Sequence, residues 1–420
     1  MGLLCVIFLI MLMGFCLVQR HKWYSPSILF VGLWIIVTSL SLLRLHNLNE
    51  TSERIYLIVL LGTVFFLFGG NRQKTFVFGN KLPAKSQSNN YYTRYKLVYV
   101  FCIIVIIYLA QRALRVRAML ASGLSMSTIR LEFGESVLQS GFDALLNNYV
   151  IQPAITILIP LAMIELFNKN KNKLLLILTV IITTLYAYSD GGRIIFVYLL
   201  LHFFLAYSMI GTESISSWSD KFKRLFLLVS LFFVVTYLIS YLTEARTTNL
   251  SFTQQIYSYL CGCMPHFDIR LKAFEASYDY LYGFGFFHSF IEIGLFVLKN
   301  LRLISAYPGW FDAARNALNV SDFVNIGSQN FNAFVTPFFY FFADFGYLGV
   351  AAGSFVYGWM SKALYRRTSE SSDIRSLVAY MMIVQSIFMS MVRWQFYQVT
   401  FTVAFVYIFI FIGKKKEYNV

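Results

Sequence analysis

The stretch 148–167, NYVIQPAITILIPLAMIELF, holds one charged side chain, Glu165, in twenty residues. Twenty mostly apolar residues are what an α-helix needs to cross the hydrocarbon core of a bilayer. The rest of the chain repeats this pattern. Of 420 residues, 58% are hydrophobic, 18% aromatic and 13% charged, more apolar surface than a water-soluble fold of this length can hide. Apolar runs near 2–18, 27–43, 55–70, 97–110, 148–167, 174–188, 194–210 and 225–242 are each long enough to cross. A further stretch, 331–365, is too long for one perpendicular crossing and carries Pro337 and Asp344-Phe345-Gly346, so 331–349 is expected to be a broken or re-entrant piece leading into a span. Two more runs lie near 374–392 and 398–412. The expected fold is therefore an all-α polytopic integral membrane protein: one membrane domain over 1–420, with about eleven transmembrane helices in a range of ten to thirteen.

Alternating the loops by side places 21 of the 35 Lys and Arg residues in short loops on one face, which the preference for basic cytoplasmic loops makes the inner one. The N-terminus is then outside and the C-terminus cytoplasmic. The run Met1 to Val18 lacks a basic leader and a small-residue cleavage site, and reads as a retained first span. The inner loops leave no room for a nucleotide-binding domain, and neither GxxxxGK[ST] nor GxGxxG occurs. Two sizeable loops face outward, 111–147 and 243–330. The second is dense in Tyr and Phe and includes an apolar segment, 284–298, suited to the membrane interface. The net charge of +15 resolves by side into fourteen bases against fourteen acids outside, and 21 against six inside. Any external anion site must rest on placed side chains. The five cysteines form no metal-spaced set; they read as free thiols, with a strained Cys261 to Cys263 bridge as the alternative.

The external bases comprise twelve Arg and two Lys, whereas the inner set holds seven Arg and fourteen Lys. Topology has no reason to choose Arg outside. A planar guanidinium that never loses its proton suits bidentate binding of phosphate or pyrophosphate; the plainer reading is that interfacial arginines snorkel or pair with local acids. Arg193 ends the tight turn Ser189-Asp190-Gly191-Gly192-Arg193, with Asp190 as its nearest acid. Arg130 sits on a short amphipathic segment of the first loop, Arg246 follows Glu244 at the end of the eighth run, and Arg270 follows the external His266-x-Asp268 pair. For proton transfer the candidates are His266, and His288 four residues before Glu292, on one face of any helix over 284–298. Structural histidine is the plainer reading of each. No DxD, HExxH or His/Cys cluster supports a metal site, and no cofactor is expected.

The segment Gln329-Asn330-Phe331-Asn332-Ala333-Phe334-Val335-Thr336, followed by Tyr340-Phe341-Phe342-Ala343-Asp344-Phe345-Gly346-Tyr347-Leu348-Gly349 and taken with the Gly-Gly-Arg turn at Arg193, resembles the Wzy-type oligosaccharide repeat-unit polymerases of bacterial O-antigen and capsule assembly. The likeness extends to the plan of spans and loops. The resemblance implies glycosyl transfer from an undecaprenyl-pyrophosphate-linked oligosaccharide at the outer face of the cytoplasmic membrane, without metal or nucleotide sugar. Arg193, Arg130, Arg246 and Arg270 would hold the leaving pyrophosphate, and a base would take the acceptor's hydroxyl proton. Asn332, Thr336 and Asp344 match the segment and would contact substrate, or else satisfy broken backbone at membrane depth. The related O-antigen ligases carry a His beside the Asn, where this chain has Phe331, so no base carries over; His266, His288 with Glu292, and catalysis by positioning alone stay open. The implied partners are lipid-linked oligosaccharides, membrane lipids and a chain-length regulator, with no nucleic acid. A flippase or other transporter of lipid-linked oligosaccharide, and the ligase itself, are the competing readings.

Overall fold

The computed structural model describes residues 1–19, 22–71, 91–125, 128–129, 141–168, 172–190, 192, 194–211, 252–327, 329–332, 334–371 and 373–414. They are overwhelmingly helical. Helices α1 (Gly2–Val18), α2 (Pro26–Leu43), α3 (Glu53–Asn71), α4 (Tyr95–Ala121), α5 (Gly141–Phe167), α6 (Lys173–Asp190) and α7 (Ile194–Ala206) overlie the first seven apolar runs. The stretch 252–317 supplies α8 (Phe252–Cys261), α9 (Cys263–Ser277), α10 (Phe284–Asn300) and α11 (Gly309–Ala317). Then follow α12 (Pro337–Ser371), α13 (Ile374–Phe388) and α14 (Val399–Phe411). Among the described residues, six helices are long and apolar enough to cross a membrane, and α1, α14 and the stretch Ile194–Ile210 are shorter apolar helices. The run 225–242 lies outside the described residues.

Contacts divide the chain into two compact units. The first comprises Met1–Ala84, Thr253–Glu370 and Ser386–Thr402. Aromatic rings fill its interior: Phe30 stacks on Phe66 at 3.9 Å, Trp34 meets Phe338 at 4.9 Å, and Trp394 touches Phe341, Tyr357 and Phe286 at 5.0, 4.9 and 5.2 Å. The Trp394 indole donates to the Phe286 carbonyl at 3.1 Å, so its one polar atom is satisfied. Small residues let α3 and α12 touch backbone to backbone. A Cβ at Gly69 would fall on the Phe355 carbonyl, and one at Gly358 on the Phe66 carbonyl. Where lipid removes the hydrophobic drive between helices, such close approach supplies packing that larger side chains forbid.

Within α12 the helix breaks. Phe345 and Gly346 leave helical geometry, and Gly346 takes φ +61°, a conformation L side chains rarely adopt. Within the stretch 331–349, α12 starts at Pro337 and leaves helical geometry at Phe345 and Gly346. Ahead of it, β2 (Val324–Asn325) pairs antiparallel with β3 (Asn330–Phe331).

The second unit comprises Lys85–Phe252, Ser371–Gln385 and Val403–Val420. Here β1 (Tyr91–Thr93) pairs antiparallel with β4 (Ile412–Lys414). Thr93 donates to the buried Glu165 at 2.7 Å, which ties this pair to α5. Arg375 binds the Ile412 carbonyl at 2.6 Å and lies over the Tyr91 ring, and Asp373 caps α13 through the Ser376 amide at 2.9 Å. Arg112, on α4, meets Asp190 at 3.2 Å. All five cysteines are free and buried, with no bridge between Cys261 and Cys263.

The close crossing of α3 and α12 predicts that Gly69→Ala and Gly358→Ala each cost about 1–3 kcal/mol as overpacking. Thermal unfolding in detergent should show both variants melting below wild type, while Gly14→Ala, with open space around it, stays close to wild type.

Candidate functional site

Helix α9 begins after Gly262, where a Cβ would overlap the Ser258 carbonyl. It sets His266 and Arg270 one turn apart on the same face. His266 is fully buried. Its Nδ1 lies 3.0 Å from the Phe334 carbonyl, which can only accept, so Nδ1 carries the proton and Nε2 offers a lone pair. Arg270 Nε donates to that lone pair at 3.3 Å. Burial pushes the His266 pKa down to about 4; the Phe334 carbonyl pulls it partly back, and the Arg270 charge lowers it again. Arg270 also donates from Nη2 to the Asp322 carbonyl at 2.5 Å, with the Asp322 carboxylate 3.9 Å from Nη1.

The Asn332 segment meets the same place. Asn332 donates to the Ser321 carbonyl at 3.0 Å, one residue from the group that holds Arg270. Phe334 supplies the acceptor for His266. Thr336 is fully buried, its hydroxyl has no hydrogen-bond partner, and its carbonyl accepts from Phe339 at the start of α12. Two stretches separated by fifty residues of sequence, 266–270 and 321–336, therefore converge around one imidazole and one guanidinium.

His266 and Asp268 do not form a pair. Residues two apart on a helix face different ways. Asp268 accepts from the Ser52 amide at 2.8 Å and hydroxyl at 2.9 Å, with Lys272 at 3.2 Å, and so pins the α2 to α3 loop onto α9. Asp344 is likewise committed. Its two carboxylate oxygens accept from the amides of Gly285 at 2.7 Å and Phe286 at 2.8 Å, capping α10 in the place of a side chain that Gly283 and Phe284 cannot supply. Gly285 is required there, because a Cβ would overlap the Tyr340 carbonyl.

That cap fixes a second group of polar side chains. His288 is almost wholly buried, and its ring lies between Tyr397 at 3.9 Å and Phe311 at 5.7 Å, nearly parallel to both. Its Nδ1 donates to the Tyr397 carbonyl at 3.0 Å, Glu292 Oε2 stands 3.7 Å from the same nitrogen, and Nε2 is buried with no hydrogen-bond partner among the described residues. Burial pushes the His288 pKa down to about 4; the Tyr397 carbonyl opposes this and Arg315 adds to it. Burial raises the Glu292 pKa, with Arg315 opposing. Tyr397 is not among the candidate site residues of the sequence; Arg315 and Arg393 count among the external arginines but are not placed at this site by the sequence, and the Arg393 Nε is buried without a hydrogen-bond partner among the described residues. Arg130, Arg193 and Arg246 lie outside the described residues; Asp190, the acid next to Arg193 in sequence, meets Arg112 at 3.2 Å.

Two outcomes follow. The cap makes Asp344→Ala cost about 1–2 kcal/mol of thermal stability, while Asp344→Asn, which keeps one acceptor, falls between it and wild type. Both imidazoles bind a proton less readily folded, at about 4, than at the ordinary 6.5. A lowered folded pKa means that the unfolded chain takes up more protons between those values, so these groups lose the protein stability as pH falls from about 6.5 to about 4. Melting midpoints measured across that window should fall less steeply in His266→Gln and His288→Gln than in wild type. Comparison of the chain with family models, with curated proteins and with solved structures gives no match.

Proposed function

We propose that the protein is a metal-independent glycosyltransferase of the cytoplasmic membrane that polymerises undecaprenyl-pyrophosphate-linked oligosaccharide repeats into a surface polysaccharide, O-antigen or capsule. The convergence of His266 and Arg270 with the Asn332 segment carries the reading. It joins the one external His–Arg pair to the segment on which the resemblance to Wzy-type polymerases rests. In this reading Arg270 holds pyrophosphate as negative charge develops on it, with Arg193, Arg130 and Arg246 as further ligands. Asn332 and Thr336 orient sugar hydroxyls, and Asp344 acts through the helix it caps.

The proposed topology has about eleven spans, an external N-terminus and a cytoplasmic C-terminus. Several contacts support it, because each joins residues assigned to one side. The N-terminal ammonium meets Glu53 at 3.2 Å and the Asn49 amide donates to the Ile326 carbonyl at 2.8 Å, all on the side assigned as outside; β1 and β4 pair on the side assigned as inside. Lipid-linked repeats are the proposed substrates, with membrane lipids and a chain-length regulator as partners.

One observation favours a transporter as the second reading. His202 is fully buried in an apolar helix, with Nε2 3.0 Å from Gln385, and polar pairs at such depth often mark a transport path. A deletion strain separates the two readings: unpolymerised repeats gather outside if the protein is the polymerase and inside if it is the flippase. Within the first reading, Arg270→Ala removes long chains while the protein stays in the membrane, and Arg270→Lys does the same. Normal chain lengths in the Lys variant would rule out bidentate pyrophosphate binding by Arg270.

A further inference from the structure

Helix α10 buries one face and leaves an apolar one open. Phe284, Gly285, His288 and Ser289 are buried, while Phe287, Phe290 and Val297, on the opposite side, are about half exposed. Their spacing puts them in one stripe along the helix, which the described residues leave uncovered. Lys299 and Arg302 stand exposed at its far end. An apolar stripe that ends in cations is what a helix presents to lipid whose phosphates lie at the boundary.

At the other end the stripe runs into a cavity of about 360 Å³ between α10 and α11. Phe287 belongs to both, and Tyr282, Phe284, Ile291, Trp310 and Ala314 make most of the remaining wall. No charged side chain lines it, and its only polar side-chain groups are the Tyr282 hydroxyl and the Trp310 indole N–H. A sugar or a phosphate needs convergent donors and acceptors, so this lining selects hydrocarbon. Tyr282, Phe287 and Trp310 are all more than half exposed, so the cavity is open at the surface and a chain lying on the stripe enters it directly. The break in α12 holds the wall in place, because the Ala343 and Asp344 carbonyls accept from the Leu281 and Tyr282 amides.

The rim carries a cation. Arg315 follows the lining residue Ala314, is exposed, and makes no ion pair among the described residues. Burial holds Glu292, the acid beside the lining residue Ile291, towards its neutral form, so it offsets little of the Arg315 charge. A hydrocarbon chain with an anion at one end matches both features. Four of the walls are aromatic rings, on which the flat double bonds and methyl branches of an isoprenoid stack better than a straight acyl chain does.

We propose that the cavity between α10 and α11 holds the phosphate-proximal isoprenyl units of the lipid-linked repeat, with Arg315 on the phosphate. The choice of a polyprenyl chain as occupant rests on the proposed function; the apolar lining and the cation at the rim do not.

The test uses full-length protein in nanodiscs and two photoreactive probes with the same diazirine. One is a polyprenyl phosphate labelled on its second isoprene unit, and the other is phosphatidylglycerol labelled on an acyl chain. The polyprenyl probe should mark peptides 281–291 and 309–317 several-fold more than the phospholipid probe does, and unlabelled polyprenyl phosphate should compete. Ala314→Trp, which fills the cavity, should remove most of this labelling, and Arg315→Gln should weaken capture several-fold. Equal labelling by the two probes means a cleft filled by bulk lipid and overturns the inference, as does undiminished labelling in Ala314→Trp. Undiminished capture in Arg315→Gln overturns the phosphate contact. Should Ala314→Trp melt well below wild type, Trp310→Ala, which strips one exposed wall, must lower capture several-fold while folded, and undiminished capture there overturns the inference. Labelling needs no polymer to form. Protein that captures the polyprenyl probe at these peptides but makes no polymer therefore upholds the site and overturns the polymerase reading, and polymer made without such capture does the reverse.

Discussion

The Asp344 carboxylate on the amides of Gly285 and Phe286 is the interaction on which the first unit depends. A helix N-terminus buried in protein must have its amides satisfied, and the N-cap residue of α10, Gly283, has no side chain to accept from those of Gly285 and Phe286. The acceptor comes instead from sixty residues further on, at the break in α12. Because the break at Phe345 and Gly346 frees the backbone there, the Ala343 and Asp344 carbonyls also accept from Leu281 and Tyr282. One irregular turn thereby fixes the entry of α10, the mouth of the aromatic cavity and, one turn on, the His288 ring.

The same segment works in the opposite direction at its start. Ahead of α12, Phe334, Val335 and Thr336 are not helical, and the Phe334 carbonyl meets His266. A helix through this region would have consumed that carbonyl internally. The breaks are tolerated because neighbouring protein satisfies the freed carbonyls, that of Phe334 by His266 and those of Ala343 and Asp344 by the Leu281 and Tyr282 amides.

Most of the helical framework is legible in the sequence, because apolar run length in a membrane chain maps directly onto helix length: 2–18, 174–188 and 398–412 lie within a residue or two of α1, α6 and α14. The break at Asp344-Phe345-Gly346 is legible for the same reason. The candidate site is legible only where partners are local. His266 with Arg270, and His288 with Glu292, follow from helical spacing. For Asp344 the sequence leaves open substrate contact and the satisfying of broken backbone; the carboxylate is engaged by the Gly285 and Phe286 amides, partners about sixty residues away that only the fold supplies. Tyr397 and Arg393 were hidden because their approach to α10 and Tyr340 is set by tertiary packing, which no local pattern encodes.

The central claim is that bond formation occurs in this protein and consumes a lipid-linked donor. It is tested most directly by counting products from purified protein in liposomes supplied only with the lipid-linked repeat. The account predicts one undecaprenyl pyrophosphate released for every new glycosidic linkage, with a ladder of lengthening chains. Movement of the repeat across the bilayer with no pyrophosphate lipid released would contradict it.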